Sequence, residues 1–233
     1  MALFAIGDTH LSLGSDKPMD IFGGWQDYTT RLEKNWRQIV TPDDTVVIPG
    51  DISWAMRLED AKEDLEFLDS LPGRKIIGKG NHDYWWMTMK KLTTFVEENE
   101  LTTLNFLFNN SYEVSCESGT FAVCGSRGWF FDDDSAEQDL VIKRECGRIR
   151  TSIESAKEKG LSPIVFLHYP PISNDRVCDP IVDTLLDCGI DKCYYAHLHG
   201  NSINYAFKDT YKGIKFDLVS SDALGFVPKL IAK

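Results

Sequence analysis

The chain has 233 residues, 42% apolar and 26% charged, an ordinary globular composition with enough length to bury a substantial core. Its net charge of -11 argues against broad, sequence-independent binding to DNA or RNA, which depends on basic surface, and leaves small anionic substrates open. The first residues lack a signal peptide's basic region and long apolar stretch, and no run reaches the about 20 apolar residues of a membrane span, so a cytoplasmic protein is expected.

In chain order, Leu3 to Ile6, Thr45 to Ile48, Lys75 to Ile77, Ile164 to Leu167 and Cys193 to Tyr195 are short apolar runs suited to buried strands. Helical periodicity falls between them, roughly over Trp25 to Val40, Leu58 to Ser70, Tyr84 to Glu98, Glu137 to Lys159 and Pro180 to Leu186. Thr103 to Gly125 has no helical period and reads as two or three antiparallel strands. The tail from Asn201 to Leu230 looks similar, with turns at Lys208-Asp209 and Lys212-Gly213. No linker, repeat or low-complexity tract divides the chain, so a single domain over residues 1–233 is expected, with a parallel and an antiparallel part. The six cysteines form no C-x-x-C pair and read as mostly buried free thiols.

All five histidines fall in short motifs with acidic or amide neighbours, and each motif follows a strand-like run: Asp8-Thr9-His10, Gly80-Asn81-His82-Asp83, His168, and His197-Leu198-His199. Gly50-Asp51 follows Val46 to Pro49 in the same way. Strand ends are where an open α/β sheet presents side chains to a ligand. Singly, an aspartate after a strand is usually a turn or capping residue, and a histidine ending an apolar strand is usually a bonded core residue. Jointly, nitrogen and oxygen donors gathered at five strand ends describe a metal site, read as a two-metal one.

These motifs, in the order D-x-H, G-D, G-N-H-[ED], H and H-x-H, resemble the calcineurin-like metallophosphoesterase superfamily over residues 8–199. The resemblance implies an α/β fold, a two-layer mixed β-sandwich flanked by helices. It implies Asp8, His10 and His199 as ligands of one metal, Asn81, His168 and His197 as ligands of a second, and Asp51 bridging both. His82 would lie beside the leaving group with Asp83 orienting its ring. Two departures stand out. Ala196 replaces the glycine that usually precedes H-x-H, and Asp51 is followed by Ile52-Ser53-Trp54-Ala55, not by the D-R-G continuation of serine/threonine protein phosphatases.

The implied chemistry is phosphoester hydrolysis. Two divalent cations bring about +4 and the two aspartates -2, so the centre keeps roughly +2 for a phosphate oxyanion. Two metals about 3.5–4 Å apart can share and activate a water, and His82 would assist the leaving oxygen. The mixed donors suit manganese, iron, zinc, nickel or cobalt. The expected substrate is a small phosphomonoester or phosphodiester; no extended nucleic acid and no membrane are expected as partners. A non-catalytic metal-binding scaffold for protein interaction, or a nuclease of the same fold, is the alternative. Arg127, in the glycine-flanked turn Gly125-Ser126-Arg127-Gly128, is a candidate phosphate contact, and Trp129 the better substrate contact among the aromatics near the motifs (Trp54, Trp85, Trp86, Phe130, Phe131). Arg144, Arg148 and Arg150 read as helix residues paired with nearby glutamates, Asp132-Asp133-Asp134 as a solvated acidic loop, and Leu11 to Trp25 as a lid over the site.

Overall fold

The structure is a computed structural model, and it describes residues 1–129, 136–174 and 176–233. Phe130, Phe131 and the acidic run at 132–134 lie outside the described residues.

Among the described residues, thirteen strands and five α-helices carry the fold. They are β1 (Leu3–Ala5), α1 (Tyr28–Ile39), β2 (Thr45–Ile48), α2 (Lys62–Ser70), β3 (Arg74–Ile77), α3 (Met89–Glu98), β4 (Leu104–Phe106), β5 (Tyr112–Cys116), β6 (Gly119–Ser126), α4 (Ala136–Lys157), β7 (Ser162–Leu167), β8 (Ile172–Ser173), β9 (Arg176–Val177), α5 (Asp179–Asp187), β10 (Lys192–Tyr195), β11 (Thr210–Tyr211), β12 (Ile214–Leu218) and β13 (Lys229–Ala232). One sheet has the order β13-β1-β2-β3-β4, the other β11-β12-β10-β7-β6-β5, and β8 and β9 form a small hairpin. Within each sheet the central strands are parallel, and the antiparallel members β13, β11 and β5 lie at the edges.

The twofold alternation of side chains along a strand explains the layering. Leu3 and Ala5 of β1, Val47 of β2, Ile76 of β3, Val123 of β6, and Ile164 and Phe166 of β7 meet in one cluster between the sheets. The intervening residues point outward. Phe4, Val46 and Ile48 join Leu32 and Trp36 of α1, Leu65 and Leu68 of α2 and Leu92 of α3. On the far side, Val165 and Leu167 join Ile149 and Ile153 of α4 and Ile181, Val182 and Leu185 of α5. Strands buried on both faces must be apolar throughout, which is how the five runs read in sequence. The result is the expected two-layer mixed sandwich flanked by helices.

Three local expectations change. β4 is parallel to β3, not part of an antiparallel unit; α3 crosses over between them and delivers β4 in the same direction, leaving only β5 and β6 antiparallel in that stretch. Trp85 and Trp86 precede α3 and do not begin it. The tail starts with a 3-10 turn over Gly200–Tyr205, where Ser202 donates both its N–H and its hydroxyl to the His199 carbonyl. Four of the six cysteines are buried, and all are free thiols. Among the described residues, no helix is long and apolar enough to cross a membrane.

Candidate metal centre

The C-terminal ends of β1, β2, β3, β7 and β10 converge at one end of the sandwich and bring Asp8, His10, Asp51, Asn81, His168 and His197 together. Asp8, His10 and Asp51 offer ligand atoms within 4.8 Å of one another, as do Asp51, His168 and His197. Asp51 belongs to both groups. Its Oδ1 accepts the His82 N–H at 2.8 Å, while Oδ2 lies 3.8 Å from His10 Nε2 and 3.5 Å from His168 Nε2. Asn81 Oδ1 is 2.7 Å from His168 Nε2 and 3.0 Å from His197 Nδ1. His199 stands outside these tight groups, its ring 5.1 Å from that of His10.

Close approach of backbones makes the cluster. The strands meet at Gly7, where an added Cβ would lie 2.6 Å from Ala196 Cβ, so the alanine that departs from the usual glycine fits because its neighbour has no side chain. Gly80 likewise leaves room for Asp51, and Gly50, at φ 107°, for the Gly80 backbone and His168 Nδ1. Asp8, His10, Asp51 and His197 all take left-handed backbone conformations, with φ of 52°, 43°, 52° and 72°. Such strain in residues other than glycine gathers at functional sites, where surrounding bonds hold it. Here the His10 N–H donates to the Asp51 carbonyl, the Asp8 N–H to the Gly50 carbonyl, and the His197 N–H to the Asp8 carboxylate.

The donor chemistry fits a cation. His168 Nδ1 lies 3.2 Å from the Pro49 carbonyl oxygen, which assigns its proton to Nδ1 and leaves Nε2 as a lone pair facing the Asn81 oxygen. Two acceptors at that separation repel unless a positive charge sits between them. Protonation of the ring is a poor remedy, because burial holds both His168 and His10 well below the usual histidine range. Both ring nitrogens of His10 and Asp51 Oδ2 are buried without a hydrogen-bond partner, an expensive arrangement in a protein interior. Burial, reinforced by the charges of Asp83 and Asp8, pushes the Asp51 carboxyl up to about 9, and burial pushes Asp8 up to about 7. A divalent cation is the group that would keep both ionised and satisfy these atoms.

Asp83 departs from expectation. It makes no bond to the His82 ring. Its carboxylate accepts the backbone N–H groups of Gly80, Asp51 and Ile52 at 2.7, 2.9 and 2.8 Å, and the Trp85 indole N–H at 3.0 Å. The His82 ring is instead held by Trp54, 4.5 Å away, and Trp54 also stacks on His10 at 4.9 Å. Trp54 therefore braces two imidazoles, a role that its place three residues after Asp51 hints at only weakly.

Two cavities lie at this end of the fold, and only the smaller is lined by histidines of the motifs. The smaller, about 400 Å³, is lined by His82, His199, Trp54 and, from the segment expected as a lid, Met19, Phe22 and Trp25. That segment is a wall anchored by buried Leu11, Met19 and Trp25. The larger, about 720 Å³, is lined by Lys79, Arg127 and Arg148 with Trp86, Met89 and Phe108. The Arg127 guanidinium lies 4.9 Å over the Trp129 ring. Trp129 thus sits behind Arg127, its N–H bonded to Gln138, and does not line the cavity. Trp85 is fully buried in the core, whereas Trp86 reaches the larger cavity. Arg148 pairs with Glu145 on its own helix, but Arg150 reaches Asp187 of α5 at 3.3 Å. Lys79 carries no motif; its position between Gly78 and Gly80, one strand exit from Asn81, is the only signal that marks it. Burial, then the Arg127 charge, lowers its ammonium from the usual lysine value.

The family model for calcineurin-like phosphoesterases matches residues 1–201, and the chain belongs to that family of metal-dependent phosphoester hydrolases. No curated protein is similar enough to count as a match. Among solved structures, a protein of unknown function from Aquifex aeolicus aligns with 98% of this chain and 95% of its own at 17% identity and a TM-score of 0.56. A phosphopantetheinyl hydrolase from Mycobacterium tuberculosis aligns over 99% and 95% at 14% identity and a TM-score of 0.55. Both share the fold.

Proposed function

We propose that the chain is a dinuclear-metal phosphohydrolase acting on a small phosphomonoester or phosphodiester, with residues 1–233 working as one domain. In this reading Asp8, His10 and His199 hold one divalent metal, Asn81, His168 and His197 hold the second, and Asp51 bridges them. The observation that carries it is Asp51 Oδ2, a buried, unpartnered oxygen facing imidazole nitrogens of both groups. When bound, the two cations would supply Lewis-acid activation of the attacking water and charge neutralisation at the phosphoryl oxygens.

The chain's own residues supply the rest. Only two carboxylates stand among the seven donors, so the site stays receptive to an anion. Asn81, a neutral donor, completes its group without further negative charge. His82 lines the smaller cleft with Nδ1 enclosed. Nε2 is then the atom that would pass a proton to the leaving oxygen. The Trp54 ring packs against it, and Met19, Phe22 and Trp25 give the same cleft an apolar side.

Metal analysis of the purified protein tests the assignment. About two equivalents of divalent metal are expected after loading with manganese, falling to one or fewer in folded Asp51→Asn. Unaltered metal content in that variant would remove Asp51 as the bridge.

A further inference from the structure

The larger cavity is unused by the chemistry above. It opens where the ends of β3, β4 and β6 meet the residues before α3, and it shares no lining residue with the His82 cleft. None of the seven candidate ligands lines it, but its lining is joined to them through the backbone. Lys79 stands two residues before Asn81. The Arg127 carbonyl accepts the N–H groups of His168 at 3.2 Å and Tyr169 at 2.9 Å, and the Tyr169 ring lies 4.5 Å from that of His197. The larger cavity is thus lined by residues tied to the Asn81 and His168 loops, and the smaller one by His199 and by Trp54, which stacks on His10.

Its charge is opposite to that of the molecule. Lys79, Arg127 and Arg148 line it; the near-fully buried Glu145 pairs directly with Arg148 and acts on Lys79 only at longer range. Lys79 and Arg127 have no ion pair among the described residues, and Arg127 Nε is buried without a hydrogen-bond partner. Two cations with no carboxylate paired to them among the described residues, gathered in a chain of net charge -11, make this a local positive region suited to an anion. The rest of the lining includes the apolar Trp86, Met89 and Phe108, with the Arg148 guanidinium 5.5 Å over the Phe108 ring. An anion-bearing, largely apolar arm matches this mixed lining.

We infer that the substrate is a phosphodiester whose retained arm carries a second anionic group, seated between Lys79 and Arg127, while the leaving arm lies in the His82 cleft. A monoester has one arm and would fill only one of the two cavities. This assignment rests on the proposed function for the position of the scissile phosphorus.

Calorimetric binding to manganese-loaded protein tests it with a series of α,ω-alkanediol bisphosphates of increasing length, each against its own monophosphate. One length should bind about tenfold more tightly than its monophosphate, and the advantage should fall to about twofold in Lys79→Gln and in Arg127→Gln, with Lys79→Arg retaining it. The readout is a ratio within each variant, so a general loss of affinity cancels. An advantage no greater than about twofold at every length, or one that survives both substitutions, overturns the inference. Hydrolysis of bis-p-nitrophenyl phosphate and p-nitrophenyl phosphate in the same preparations reports separately on the metal chemistry. If neither is cleaved, the proposed function fails; if only the monoester is cleaved, or the diester is cleaved without a bisphosphate advantage, the inference fails and the proposed function stands.

Discussion

The carboxylate of Asp83 accepts the backbone N–H of Asp51 at 2.9 Å across 32 residues of sequence. The same carboxylate takes the N–H of Gly80, so one side chain clamps the loop carrying Asp51 to the loop carrying Asn81. Asp83→Asn would turn an amide N–H toward these donors. It should destabilise the fold by about 2–4 kcal/mol and lower metal affinity, read by urea denaturation and metal analysis. A variant with normal stability and metal content but slowed turnover would return Asp83 to the role of orienting His82.

His82→Ala should behave differently. The ring lies outside the groups that would hold metal and makes no hydrogen bond through Nδ1. Metal content should stay at the wild-type level while kcat falls about 10²-fold or more. Unchanged kcat would remove His82 from the reaction.

Gly80→Ala tests close approach. A Cβ there would overlap the Asp51 carboxylate and its backbone nitrogen. A loss of about 1–3 kcal/mol and reduced metal content are expected, because the Asp51 loop must shift. Wild-type metal content would mean that the loop yields without disturbing the carboxylate.

Acid sensitivity has a source remote from the centre. Burial alone would raise the Asp44 carboxyl, but N–H and hydroxyl donors from Thr41, both at 2.8 Å, and the Ala2 N–H at 2.7 Å bring it below the ordinary value. A depressed folded-state pKa gives stability that is fully present above the unfolded value near 3.8 and is lost as pH falls through the lower, folded one. Asp44→Ala should therefore cost about 1–3 kcal/mol at neutral pH and progressively less below about pH 4, in urea midpoints taken across the acid range. A cost independent of pH would show that the carboxylate's charge is not what matters.

Much of this molecule was readable before its structure. The five apolar runs had to be strands buried on both faces, since Leu3 and Ala5 pack between the sheets while Phe4 packs under a helix. The donors at their ends were readable because each follows such a run directly. Strand direction was not: Leu104–Phe106 has no pattern that separates parallel from antiparallel, and α3 decides it. Nor was the work of Asp83, because neighbours in sequence point different ways. Adjacency to His82 suggested a partner, whereas the carboxylate turns back to amides 31 and 32 residues away. Lys79 belongs to no motif, and only the fold sets it beside Arg127 and Arg148.

Hydrolysis of bis-p-nitrophenyl phosphate and p-nitrophenyl phosphate, by protein stripped of metal and by the same protein reloaded with manganese, tests the central claim most directly. Negligible cleavage after stripping and recovery on reloading, with the diester the faster substrate, is the predicted result. Equal turnover by the stripped protein, or none of either substrate after reloading to full metal occupancy, would contradict it.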